Sequence, residues 1–203
     1  AAIDRSLRGF YYSTWAHEGQ MGRYALTQFE PTSARRAYPG WDEPAYKANF
    51  TFRMLHRVNT TALANMPSAY ERSVDKEQVH QLLQTRSSGL SLHQYNLDEW
   101  LLTEFETTPK MATYLVAWAN GAFLHVSNTT ISPLTGRVIP LRMYTTPDLI
   151  HQAAFSTEAM AKILPEYEKV FEIAYPLPKL DALVAADFDF GAMENWGLIT
   201  GRS

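Results

Sequence analysis

The residues able to hold a catalytic metal set the first limit on the chemistry. A zinc protease of the two-histidine type needs two His four residues apart on one helical face. It also needs a Glu beside the first as general base, and a further Glu ligand. The six histidines do not supply that pattern. The nearest approach is His17-Glu18-Gly19-Gln20-Met21, where Met stands in place of the second histidine and the glycines at 19 and 22 disfavour a helix. It reads as the tip of a hairpin. His56, His80, His93, His125 and His151 are scattered without ligand spacing and read as structural or exposed. The chain has no cysteine, which excludes thiolate sites and disulfides within it. No catalytic residue and no metal ligand is assigned in this chain, and it is expected to bind no zinc.

The most informative segment is the last, Asp187-Phe-Asp-Phe-Gly-Ala-Met-Glu-Asn-Trp-Gly-Leu198. Taken alone, Glu194 within it reads as a solvated or capping carboxylate, the usual fate of a charged residue. Its neighbours change that reading. Gly191-Ala192-Met193-Glu194-Asn195, with Trp196-Gly197-Leu198 after it and Tyr175-Pro-Leu-Pro-Lys179 before it, resembles the exopeptidase signature of the zinc aminopeptidase family that includes aminopeptidase N and puromycin-sensitive aminopeptidase. A second stretch, Thr27-Gln-Phe-Glu-Pro-Thr-Ser-Ala-Arg-Arg-Ala-Tyr-Pro-Gly-Trp-Asp-Glu-Pro44, is similar to the family's N-terminal β-domain, with Gly40 where many relatives carry cysteine. The resemblance covers essentially the whole chain and is poorest over 71–99.

An aminopeptidase must recognise a terminal ammonium, a compact cation with three donors, and carboxylates drawn from separate segments can surround it. The resemblance gives that role to Glu194 and Glu30, with Gln28 as a further acceptor. It also implies that Gly191 and Ala192, which lack bulk, let their backbone bind a peptide like an added strand, with Met193 and Asn195 completing the substrate-binding segment. Phe190 and Phe29 become candidates for the wall of the pocket that takes the first side chain. Trp41, Asp42 and Glu43 are expected to hold their loop together. The implied activity is zinc-assisted release of N-terminal residues from peptides. The zinc motif and the oxyanion-stabilising tyrosine are expected beyond Ser203, so the chain should be an N-terminal fragment, inactive by itself. Two rivals remain: a non-catalytic relative serving as a protein scaffold, and a bifunctional relative acting on a lipid epoxide.

Elements must position these residues. Leu7 to Trp15 and Arg23 to Phe29 read as two strands around a polar turn at 17–22, and Ala48 to Leu55 alternates like a half-buried strand. Residues 71–99 read as an elaborated loop; Trp100 to Glu106 and Thr113 to Val126 read as strands, the latter broken near Asn120-Gly121. Ser127 to Gly136 has the composition of a linker. Beyond it Val138 to Tyr144 suits a strand, and apolar residues from Leu149 to Phe171 recur at helical spacing, capped by Asp148 and kinked or split at Pro165. Leu180 to Ala186 is a buried-strand candidate. The expected fold is mainly β: an N-terminal β-sandwich over 1–130, then the truncated start of a thermolysin-like α/β catalytic domain over 131–203.

Bulk properties agree. A chain of 203 residues, 46% hydrophobic, can bury a real core. A net charge of -3 with no basic run argues against nucleic acid as a partner, and no apolar run is long enough to span a bilayer. The expected partners are peptides with a free N-terminus. Absence of cysteine favours a cytoplasmic location; the sequons at Asn49, Asn59 and Asn128 keep a secreted or membrane-anchored ectodomain as the alternative.

Overall fold

In a computed structural model, which describes residues 3, 5–84 and 100–203, the first aromatic run forms β1 (Gly9–His17), paired antiparallel with β2 (Gln20–Gln28). Tyr11, Tyr24 and Leu26 point from this hairpin into the core. Its turn is only Glu18 and Gly19, both at positive φ (48° and 77°), the two-residue geometry whose twist matches that of the strands. His17-Glu18 is thus a hairpin tip, and residues expected in a longer turn extend β2.

The strands β3 (Arg53–Arg57), β4 (Thr61–Ala64), β5 (Ser68–Val74), β6 (Trp100–Phe105) and β7 (Trp118–Gly121) follow, with helix α1 (Lys76–Gln84) after β5. They make a four-stranded sheet ordered β1-β2-β7-β4 and a three-stranded sheet ordered β3-β6-β5. An aromatic seam joins the sheets, Phe52 stacking on Trp118 with centroids 4.7 Å apart and meeting Phe105 at 5.9 Å. Two expectations are corrected here. The segment from Ala48 enters the ladder only at Arg53, Ala48 itself making an isolated bridge to Met111. The loop expected over 71–99 begins instead as a strand and a helix, because Val74 and Val79 bury themselves against Leu102; its remainder, 85–99, lies outside the described residues.

A five-stranded sheet, ordered β11-β12-β10-β9-β8, builds the second half from β8 (Leu124–Ile131), β9 (Val138–Thr145), β10 (Leu180–Ala185), β11 (Ala192–Met193) and β12 (Leu198–Arg202). Helix α2 (Ala153–Phe171) links the parallel strands β9 and β10. The fold is therefore mainly β with the opening of an α/β region behind it. The linker-like residues 127–136 are the end of β8 and a tight turn closed by Gly136 N–H to Ser132 O (2.9 Å). A division at 130/131 would part β8 from β9, which pair from Leu124↔Thr145 to Ile131↔Val138.

Pro165 does not split the helix; α2 runs through it. A proline lacks the N–H that would bond the carbonyl four residues earlier, here that of Ala161. That carbonyl instead accepts a hydrogen bond from the Thr130 hydroxyl of β8 at 2.8 Å. The helix ahead of this turn starts later than the periodicity suggests: 147–152 is a 3-10 turn with Asp148 in its first turn and no side-chain cap. Thr130→Val should strand the Ala161 carbonyl and cost about 1–2 kcal/mol. Urea denaturation checks it, and an unchanged midpoint would show that the bond contributes nothing.

Candidate functional site

The signature segment is held from both sides. Tyr11 Oη donates to the Asp187 carbonyl (2.9 Å), Ser13 Oγ to the Asp187 carboxylate (2.5 Å), and the Ala186 N–H donates to Tyr24 Oη (3.0 Å). The β1–β2 hairpin thus fixes where the segment starts. Burial pushes the Tyr11 hydroxyl above its ordinary range, with Tyr24 and the acidic residues Asp187 and Asp189 adding to the effect; it stays a donor.

The far end is fixed by Asn65, Gly197 and Lys179. Asn65 Nδ2 donates to the carbonyls of Leu115 and Trp196, both at 2.8 Å, and its Oδ1 accepts the Ala117 N–H at 2.8 Å. Gly197 sits at φ 72°, and a Cβ there would lie 2.2 Å from the Asn65 carbonyl oxygen, so only glycine fits the approach. The buried Lys179 ammonium donates to Ala64 O (2.8 Å) and Gly197 O (2.6 Å) and pairs with Asp181 at 2.9 Å. Arg142 closes the cluster with two bonds to the same carboxylate, at 2.7 and 3.2 Å. Burial pushes the Lys179 ammonium down to about 8 against the opposing pull of Asp181.

Between these anchors, β11 pairs with β12 through Ala192↔Gly201 and Met193↔Thr200 and ends the sheet, leaving its outer edge without a partner strand among the described residues. The residues alternate. Gly191, Ala192 and Glu194 are exposed; Met193 and Asn195 are buried. Met193 packs in the large core cluster that also contains Phe29. Asn195 Nδ2 donates to Thr200 Oγ1 at 3.2 Å, and its carbonyl accepts the Leu198 N–H. The side chains of Met193 and Asn195 therefore shape the turn from within.

Gln28, at the end of β2, is 1% exposed, and neither its amide oxygen nor its amide nitrogen has a hydrogen-bond partner among the described residues. A buried amide with both ends unpaired is costly to the fold. Glu30 follows, half-buried, before Pro31. Phe29 does not wall a pocket: it is fully buried, edge-on to Trp118 at 5.2 Å and Tyr38 at 5.8 Å. Phe190 is exposed. Asp42 does hold its loop, accepting from the Arg35 N–H and the Thr113 hydroxyl, whereas Trp41 is exposed.

Residues 1–88 match the Peptidase M1 N-terminal domain, and residues 155–203 match the Peptidase family M1 domain. The chain belongs to the peptidase M1 family. M1 members are zinc metallopeptidases. The chain is 40% identical over 203 residues to endoplasmic reticulum aminopeptidase 2 of Bos taurus, covering 100% of this chain and 18% of that protein. Identity is 40% over 204 residues to endoplasmic reticulum aminopeptidase 1 of Mus musculus (100% of this chain, 19% of the relative). It is 36% over 200 residues to glutamyl aminopeptidase of Bos taurus (98% and 18%). The chain thus spans about a fifth of the length of these M1 relatives. Among its described residues no group of three or more His, Cys, Asp or Glu is placed to hold a metal ion, so these residues do not fit the zinc of the family.

The buried Lys179–Asp181–Arg142 cluster went unread in the sequence. Its signal was a Lys just before an apolar strand and an Asp two residues on, inside β10, a spacing that puts both side chains on one side of the chain.

Proposed function

We propose that the protein containing these residues is an aminopeptidase that releases N-terminal residues from peptides with a free amino end, and that this stretch supplies its amine-anchoring part. The observation that carries the reading is the edge position of β11 (Ala192–Met193), whose outer side has no partner strand among the described residues, followed directly by the exposed carboxylate of Glu194. A peptide adding to that edge would use backbone hydrogen bonds for register, and Glu194 and Glu30 would receive its ammonium. Met193 and Asn195 would act through their backbone, because their side chains face inward. The ligands of a family zinc would come from other residues. We also place the boundary between the β-region and the catalytic region after β7, so that β8 stays with its sheet.

The complete polypeptide should hydrolyse an aminoacyl arylamide, leave its N-acetyl counterpart intact, and lose activity on chelation with recovery on added zinc. A zinc-loaded complete polypeptide that cleaves no peptide with a free N-terminus would reject this reading in favour of a scaffold.

A further inference from the structure

The two carboxylates assigned to the substrate's amine come from segments far apart in the chain, Glu30 just past β2 and Glu194 just past β11. Their spacing depends on what joins those segments. Phe29 and Met193 share a core cluster, but apolar burial is non-directional, and direction has to come from hydrogen bonds. One run of them connects the two. β2 pairs with β7 through Ala25↔Asn120 and Leu26↔Ala119, and the Thr27 hydroxyl carries the contact one residue further by accepting the Trp118 N–H at 3.1 Å. From there the tie passes through Asn65, which is 4% exposed. Its Oδ1 accepts the Ala117 N–H and its Nδ2 donates both to Leu115 O and to Trp196 O, each bond 2.8 Å long. Trp196 lies two residues past Glu194. Lys179 joins Ala64 O to Gly197 O, but among the described residues only the Asn65 side chain bonds both to the chain entering β7 and to the signature segment. There is little slack in the joint, since a Cβ on Gly197 would sit 2.2 Å from the Asn65 carbonyl oxygen.

We propose that Asn65 is a positioning residue for the amine site, setting the distance between Glu30 and Glu194 so that both carboxylates meet one ammonium. The inference rests on the reading of those two glutamates as the amine anchor. A side-chain amide suits the task because it presents donors and an acceptor in one plane, and here both ends are satisfied, which selects a single geometry. Two carboxylates sharing a cation are sensitive to their separation. Charge attraction falls with distance, and a displacement of about 1 Å caused far from the chemistry can cost about a hundredfold in rate.

Asn65→Ala and Thr27→Val are made in the complete polypeptide, each alone and each combined with Glu194→Ala. The readings are kcat/KM on an aminoacyl arylamide and the melting temperature. Asn65→Ala should lower kcat/KM about tenfold where Glu194 is present and by less than about twofold where it is already alanine, because no second carboxylate is then left to misplace. Thr27→Val keeps the shape of the side chain and loses the bond to Trp118. It should show the same dependence on Glu194 with a loss of about threefold, and it decides the matter if Asn65→Ala does not fold. An equal loss with and without Glu194, or no loss in either, would overturn the proposal, since Asn65 would then support the fold without setting the anchor. Failure of the reading beneath it is distinguishable: Glu194→Ala by itself would leave the preference for free over acetylated amines unchanged, and that result would remove the anchor and the positioning role together.

Discussion

Glu194→Ala in the complete enzyme should lower kcat/KM about 100-fold for peptides with a free N-terminus and leave any residual cleavage of N-acetylated peptides unchanged. Glu194 follows the two-residue edge strand directly, exposed on the same side as Ala192, while Met193 between them is buried in the core. On the proposed reading, a peptide added to that edge would have its amino end beside the carboxylate. A hydrogen bond to a charged group is worth about 1.5–3 kcal/mol, and the upper part of that range is about a hundredfold in rate. Glu194→Gln keeps the shape and an acceptor but loses the charge, so it should fall between wild type and Glu194→Ala. If Glu194→Ala kept its preference for free over acetylated substrates, the ammonium would have to be held elsewhere. Glu30 and Gln28 would then be the next positions to replace.

How much of this could be read in advance depended on whether the deciding partner was near in sequence. The β1–β2 hairpin is local: alternating aromatics flank a Glu-Gly turn, and both strands formed where expected. The Gly191–Asn195 segment was legible as a motif, and the burial of Met193 between exposed Ala192 and Glu194 follows from strand period alone. That the helix would continue past Pro165 was not legible, because the group that satisfies the Ala161 carbonyl is Thr130, on a strand in another part of the sequence. Residues 127–136 misled because a polar β-hairpin and a linker share the same composition; only pairing with Val138–Thr145 separates them. Gln28 could be singled out by resemblance, but its burial with an unpaired amide could not, since that depends on the packing of the surrounding core. Asn65 carried no local signal at all: its three bonds go to Leu115, Ala117 and Trp196.

Lys179→Met should destabilise the chain by about 3–5 kcal/mol at pH 7, with a deficit that widens as the pH rises. At pH 7 the ammonium is protonated and donates to Ala64 O, Gly197 O and Asp181. Methionine fills much the same space but takes a donor from the Ala64 carbonyl and from the Gly197 carbonyl, which keeps only the Asp181 N–H, and leaves the Asp181 carboxylate with Arg142 alone. Removing one partner from a buried ionic cluster typically costs this much. The pH dependence follows from burial, which holds the folded-state value near 8 against the ordinary 10.5. Between those values the unfolded chain binds the extra proton, so this group makes the wild type more stable as pH climbs from about 8 towards 10.5. The variant lacks that gain. Urea midpoints for both proteins at pH 7 and pH 9.5 read the difference, and contributions from the buried tyrosines cancel in the comparison. A deficit that narrows with pH would mean that Asp181 and the two carbonyls outweigh burial and hold the ammonium above its ordinary value. The cluster would then be a strong ionic tie between β4, β10 and the Gly197 turn, and the signature segment would be fixed by charge more than by the close fit at Gly197.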